Sequence, residues 1–232
     1  MSSEGAVVVV GGTRGIGLEL VRHYAAAGRD VVLHGKSDTV ADAVAEVGGN
    51  TRGGTFDLAE PHSIAPALAD IGPVDRLALV AIDRDQNTIA EYDIEKALHL
   101  VTLKLVGYAS VVAALRDRFT ESSSIVLFGG MAKERPYPGS TTVTTVNGGV
   151  VGLTRTLVEE LKPIRVNSIH PGVVGDSPYW SGKTAAIEKY TSETPMGRLA
   201  RMDEIVDAVV FLLENTAVNG VDLIVDGGWH CR

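Results

Sequence analysis

Val10-Gly11-Gly12-Thr13-Arg14-Gly15-Ile16-Gly17 follows the apolar run Ala6 to Val10 and opens an amphipathic segment, Leu18 to Ala27. The order is strand, glycine turn, helix. Glycine at 11 permits a turn that side chains block, and Gly15 and Gly17 let a phosphate and the sheet approach the backbone. The start of the helix offers unpaired N–H groups and the positive end of its dipole to an anion. Glycine turns also serve plain strand–helix connections, so the position directly after the first strand is what gives this one weight as a dinucleotide cradle.

The chain around it has 232 residues, a length that suits one domain. Hydrophobic residues make up 45% and charged residues 22%, enough for a sizeable core under a solvated surface. A net charge of −8 argues against a nucleic-acid surface. The single cysteine, Cys231, excludes an internal disulfide and fits a reducing compartment. Met1-Ser2-Ser3-Glu4-Gly5 lacks the basic and apolar regions of a leader, and no apolar run reads as a membrane span. A cytoplasmic protein with no membrane or nucleic-acid partner, and no metal, is expected.

Further strands and helices alternate along the chain. Asp30 to His34 is a short buried strand, and its tip, Gly35-Lys36-Ser37, carries no acid. An acid at this point holds the ribose hydroxyls of NAD(H), whereas a cation accommodates a 2′-phosphate. With Arg14 in the glycine turn facing the same place, two cations, Arg14 and Lys36, and no carboxylate before Ser37 favour NADP(H) over NAD(H). Asp38 to Val47 reads as a helix on an Asp cap, and Thr51 to Phe56 as a third strand. Asp57, beyond that strand, either meets the adenine amino group or caps the helix expected from Pro61 to Ile71. Arg76 to Ile82, Ile125 to Phe128, Ile164 to Ile169 and Val221 to Val225 are the later strands. Asp93 to Phe119, Thr142 to Leu161 and Asp203 to Leu213 are the later helices. Gly148-Gly149 within the second of these costs about 1 kcal/mol per residue against alanine, which points to a close neighbour. Alternation throughout predicts a single-domain, doubly wound α/β fold: a parallel sheet of about seven strands with helices on both faces.

Taken together, these segments resemble the short-chain dehydrogenase/reductase family over nearly the whole chain. Gly11 to Gly17 is similar to the family's glycine motif, and Asp57-Leu58 to its adenine-contacting pair. Ile164-Arg165-Val166-Asn167-Ser168-Ile169-His170-Pro171-Gly172, Pro195 to Leu199 with Asp203-Glu204-Ile205, and Val225-Asp226-Gly227-Gly228 resemble its later motifs. The resemblance implies a nicotinamide cofactor held by Gly11, Thr13, Arg14, Gly15, Ile16, Gly17, Lys36, Ser37, Asp57, Leu58, Ala81, Asn147, Pro171, Gly172 and Val174.

The family's usual chemistry rests on a tyrosine, a lysine four residues on, a serine and an asparagine. Tyrosine and lysine share a helix face, where the cation favours the phenolate. Aligned through Gly149-Val150-Val151-Gly152-Leu153, the lysine position here is Asn147 and the tyrosine position Val143. The serine position falls at Gly130 and the asparagine position at Lys104, with Gly107 retained.

Three functions stay open. The first is a nicotinamide-dependent oxidoreductase acting on a small molecule with another proton source. In it, Asn147 stands at the nicotinamide ribose and Lys104 is an acid with a depressed pKa. Tyr137, on the loop after the fifth strand with Lys133 and Glu134, and His170 are further candidates. The plain alternatives are that Lys104 pairs with a carboxylate, that His170 is a satisfied strand-end histidine, and that the loop charges are solvated. The second function is a cofactor-binding sensor or structural subunit, and the third a non-redox lyase or isomerase in the same pocket. Asp176 to Thr194 is expected to be a lid, with Tyr179 and Trp180 lining an apolar pocket or anchoring the lid. The resemblance also implies a homodimer or homotetramer built on the two long helices.

Overall fold

A computed structural model describes residues 5–231. Residues 1–4, on which the leader expectation partly rests, and residue 232 lie outside that range. Seven strands form one sheet: β1 (Ala6–Val10), β2 (Val31–Gly35), β3 (Thr51–Thr55), β4 (Val74–Leu79), β5 (Phe119–Phe128), β6 (Arg165–Pro171) and β7 (Asp222–Val225). They lie in the order β3-β2-β1-β4-β5-β6-β7, every neighbouring pair parallel. The strand order reverses between β1 and β4, and a crevice opens beyond the strand ends at such a switch point.

The valines of β1 show how the sheet is covered. Val8 and Val10 join the core under helices α3 (Ile64–Ala67), α5 (Gly107–Leu115) and α6 (Thr141–Glu160). Val7 and Val9 join the opposite core, under α1 (Gly15–Ala26), α2 (Thr39–Val47) and α8 (Met202–Glu214). Successive side chains on a strand point to opposite faces, so a strand of unbroken valine needs a layer on each side. Each valine buried this way contributes about 1.5–3 kcal/mol.

Several elements depart from expectation. Asp38 precedes α2 but makes no side-chain capping bond. The helix expected over Pro61 to Ile71 shrinks to the 3₁₀ turn Pro61–Ser63 and α3, which contains Pro66, a residue with no N–H to donate. β5 begins at Phe119, well before Ile125. The long central helix holds together, and Asp93 caps α4 (Ile94–Val101) by accepting from the Lys96 N–H. Between α4 and α5 the residues Thr102–Val106 form a π turn, a feature common where a helix serves a site. Ile94–Arg118 is in fact long and apolar enough to cross a membrane by length and composition, although Tyr108, Val111 and Leu115 face the core. A methyl group at Gly149 would stand 2.9 Å from Leu105, the close neighbour expected there, whereas Gly148 faces open space.

Candidate active site

At the switch point the Gly11 and Gly12 amides donate to the His34 carbonyl, and the Ala81 amide donates to Val10. A methyl group at 17 would lie 1.9 Å from the Gly11 carbonyl oxygen, and one at 11 only 2.5 Å from the Ala81 nitrogen. Side chains at either place would push helix and strand apart. Helix α1 begins on Arg14, whose extended backbone carries no side-chain cap, and no acid occupies the first turn. The first N–H groups and the dipole are therefore left to an anion. The Arg14 side chain is exposed and makes no ion pair or hydrogen bond among the described residues. Ile16 packs into the core beneath, and Thr13 fills the space over Gly35.

At the tip of β2, Lys36 Nζ stands 3.9 Å from Asp83 of the loop after β4, and both are well exposed. His99 reaches the same carboxylate at 3.2 Å. The tip thus has an acidic neighbour that comes from elsewhere in the chain. Ser37 exchanges a hydrogen bond with Thr39. Asp57 accepts from the Ala59 N–H at 2.8 Å and so closes a local turn rather than capping a helix. Leu58 is buried, and its carbonyl lies where a methyl group at Gly107 would clash. On the far side Gly172 donates to Val225, and Val174 is buried in a bridge to Ala200.

The positions expected to carry chemistry lie at the ends of β4, β5 and β6. Asn147 is 97% buried (3% exposed), yet its amide makes no hydrogen bond among the described residues. A methyl group on Gly130 would stand 2.9 Å from its Nδ2. Val143 lies in an apolar cluster with Leu100, Ala132 and Val146. Lys104, on the π turn, is 1% exposed and donates to Tyr108 Oη at 3.0 Å, and that hydroxyl donates to the Ala81 carbonyl at 2.8 Å. Burial, helped by the nearby charge of Arg84, pulls the Lys104 pKa down to about 7. It has no carboxylate partner among the described residues. Tyr108 escapes a sequence reading because its spacing marks it as a core residue; only its place four residues after a buried lysine signals more.

His170 is wholly buried and accepts from the Gly130 N–H at 3.2 Å. Its Nε2 meets Ser168 Oγ at 3.1 Å, and Ser168 in turn donates to Asp222. Burial, with the charges of Lys133 and Lys104 acting in the same sense and Asp222 against, lowers its pKa to about 4. The ring is neutral at pH 7, with both nitrogens committed. It has no free face for a ligand.

The segment from Asp176 contains one helix, α7 (Thr184–Glu193), and an aromatic row. Tyr179, Trp180, Tyr190 and Trp229 follow one another edge to face at 5.1, 5.6 and 5.8 Å. Trp229 donates to Glu193 and lies under Arg135, which also donates to its carbonyl. Arg84 and Lys183 lie over the Tyr179 ring at 3.8 and 3.3 Å. Burial works to raise the Tyr179 pKa, but these two cations overcome it and leave it lowered. This segment reaches the glycine turn, because Pro178 would touch a methyl group on Gly15. Tyr137 is 45% exposed, and burial chiefly raises its pKa. It borders a cavity of about 310 Å³ with Ile89, Pro136, Pro138 and Thr144, and neither Lys104 nor Asn147 lines that space.

Comparison with known proteins places this arrangement. The model of a family described as Enoyl-(Acyl carrier protein) reductase matches residues 10–230. A solved structure described as a short chain dehydrogenase/reductase family protein superposes with a TM-score of 0.89 at 31% identity, over 100% of both chains. The chain belongs to the short-chain dehydrogenase/reductase family. Mouse 3-oxoacyl-[acyl-carrier-protein] reductase is 31% identical over 228 residues, 95% of each chain. A putative betaketoacyl-ACP reductase structure gives a TM-score of 0.88 at 30% identity over 100% of both chains.

This family uses a nicotinamide cofactor, and the residues present fit one. The glycine turn leaves a cradle that side chains would fill, and Asn147 holds an unpaired amide beside the strand ends.

Proposed function

We propose that this short-chain dehydrogenase/reductase is an NADP(H)-dependent oxidoreductase for a small molecule, with Lys104 rather than a tyrosine as its proton source. The observation that carries it is a lysine fully buried at the strand ends with no carboxylate partner among the described residues. Such a group is poised near neutral pH, where a general acid is most effective. Tyr108 accepts one Lys104 N–H, which orients Nζ and leaves its other donors for a substrate oxygen. When bound, the nicotinamide supplies or takes the hydride. Arg14 and Lys36 would hold the ribose phosphate, the start of α1 the pyrophosphate, Asp57 the adenine and Asn147 the nicotinamide ribose. The relatives named as acyl-carrier-protein reductases make a carbonyl the first substrate group to try.

The same chain has Val143 in an apolar cluster where relatives carry the proton-donating phenol, which supports a cofactor-binding protein without turnover as the second reading. One experiment separates them. NADPH and NADH are titrated by calorimetry, and carbonyl, enone and imine compounds are then screened for loss of reduced-cofactor absorbance. Tight NADPH binding with turnover supports the oxidoreductase; tight binding with none across the panel supports the sensor. Binding of neither nucleotide sinks both.

Two further elements belong to the proposal. Ile94, Leu98 and Val106 stand exposed on the long helix, which supports a homodimer or homotetramer built on that face. Light scattering tests it, and a clean monomer removes it. The exposed free thiol of Cys231 supports a cytoplasmic setting, which cell fractionation checks.

A further inference from the structure

Arg84, on the loop between β4 and α4, and Lys183, just before α7, approach one phenol from distant parts of the chain. The Arg84 guanidinium lies 3.8 Å from the centre of the Tyr179 ring and the Lys183 ammonium 3.3 Å from it. The two cations therefore stand no more than about 7 Å apart, where like charges repel. Elsewhere this acidic chain answers its cations: Arg22, Arg29, Arg52, Arg76 and Arg198 all pair with carboxylates. Arg84 and Lys183 pair with none among the described residues. Of the acids beside Arg84, Asp83 is taken by Lys36 and His99, and the Asp85 oxygens are shielded from solvent. The face of the ring draws each cation, but only weakly at an exposed site.

A ligand can reach all three side chains. Tyr179 is 47% exposed, and Arg84 and Lys183 are exposed as well. They stand beside the glycine turn, because Pro178, next to Tyr179, would touch a methyl group on Gly15. Arg84 is also three residues beyond Ala81, whose carbonyl receives the Tyr108 hydrogen next to Lys104. Three residues extend at most about 11 Å, which keeps Arg84 within reach of a molecule that also meets Lys104.

We infer that Arg84 and Lys183 form a substrate-recognition site, and that the molecule they take is a carbonyl compound bearing an oxyanion, a carboxylate or phosphate, apart from its reacting group. The inference rests on the oxidoreductase reading above and adds the substrate class. An oxyanion between the two cations replaces their repulsion by charge-assisted hydrogen bonds, and the guanidinium fork can hold it through two parallel N–H groups. The Tyr179 hydroxyl is a further donor. Both cations already draw the phenol's pKa down against the effect of burial, so its oxygen lies in the same positive field. A neutral analogue leaves the repulsion in place, and a cationic one adds to it.

The test uses protein saturated with NADP⁺ and three probes of one shape: cyclohexanecarboxylate, cyclohexanol and cyclohexylamine. Calorimetry is expected to show the carboxylate binding at least about tenfold more tightly than the alcohol, with the amine weakest. Raising the salt from about 0.05 to about 0.5 M should weaken the carboxylate and leave the alcohol unchanged. Arg84→Met and Lys183→Met are each expected to reduce the preference and together to abolish it, with NADP⁺ affinity unchanged. Arg84→Lys should keep part of it, because the charge remains without the fork. Equal binding of the three, binding of none, tighter binding of the amine, or a preference that survives the double variant overturns the inference. So does a loss of NADP⁺ affinity in the double variant, which would assign the two cations to the phosphates of the cofactor. Failure of NADP⁺ itself to bind the wild-type protein overturns instead the reading on which the inference rests.

Discussion

Lys104 Nζ lies 3.0 Å from Tyr108 Oη, one helical turn away on the same face, and the phenol passes its own hydrogen to the Ala81 carbonyl. A lysine and a tyrosine four residues apart thus stand at the strand ends, on the helix before α6, where the family resemblance led the pair to be sought. Their order and roles differ. Here the phenol's hydrogen is already bound to the backbone, and burial pushes its pKa well above the usual value. The lysine is the group able to exchange a proton near neutrality.

Lys104→Met keeps the volume and removes the proton. Turnover is expected to fall by about a hundredfold or more, with NADPH affinity unchanged. Stability should move the other way. Between pH 7 and about 10.5 the unfolded lysine binds a proton that the folded one does not, so wild-type stability rises with pH across that window. The methionine variant should be more stable by on the order of a few kcal/mol below pH 7, with the difference shrinking as pH rises to 10.5. Urea unfolding at pH 6.5, 8.5 and 10.5 checks this, and a constant difference would falsify the buried-lysine account.

Asn147→Leu removes an amide that no group among the described residues satisfies. Loss of a buried, unpaired polar group is neutral or stabilising in the folded chain. Weaker nucleotide binding, by about tenfold, is expected with an unchanged or higher melting temperature. A lower melting temperature with intact binding would mean that the amide serves the fold and not the ligand.

Lys36→Asp should weaken NADPH binding while sparing NADH. Asp83→Ala frees Lys36 from its 3.9 Å neighbour and should strengthen NADPH modestly, because an exposed pair of this kind is worth no more than about 1 kcal/mol. Calorimetry at two salt concentrations checks both, and equal losses for the two nucleotides would rule out a 2′-phosphate role.

Acid should destabilise the protein through His170. Its folded pKa of about 4 lies below the ordinary 6.5, so the unfolded state binds the extra proton between those values. The stability it contributes is complete above pH 6.5 and is lost as pH falls toward 4. His170→Gln keeps a polar group near Gly130 and Ser168 and should flatten that slope, which thermal unfolding from pH 4 to 7.5 will show.

The sequence determined the layers. Alternating apolar runs and amphipathic segments, with a glycine turn after the first, leave one economical packing: a parallel sheet clothed on both faces. The unbroken valines of β1 require it, because side chains of a strand face both ways. Linear order also brought forward the glycine turn after β1 and the positions 104, 130, 143 and 147 as candidates, since these follow from spacing along single elements.

Contacts between distant elements were decided by the tertiary structure alone. Nothing in Lys36 announces Asp83, and nothing in Lys104 says whether a carboxylate waits beside it. His170 reads in the sequence either as a proton donor or as a satisfied strand-end histidine, and in the fold Gly130 and Ser168 take both its nitrogens. Nothing in the sequence singles out Asp85, whose side-chain oxygens the fold shields from solvent. Burial and partnership set the chemistry of an ionisable group, and both arise only when the segments close upon one another.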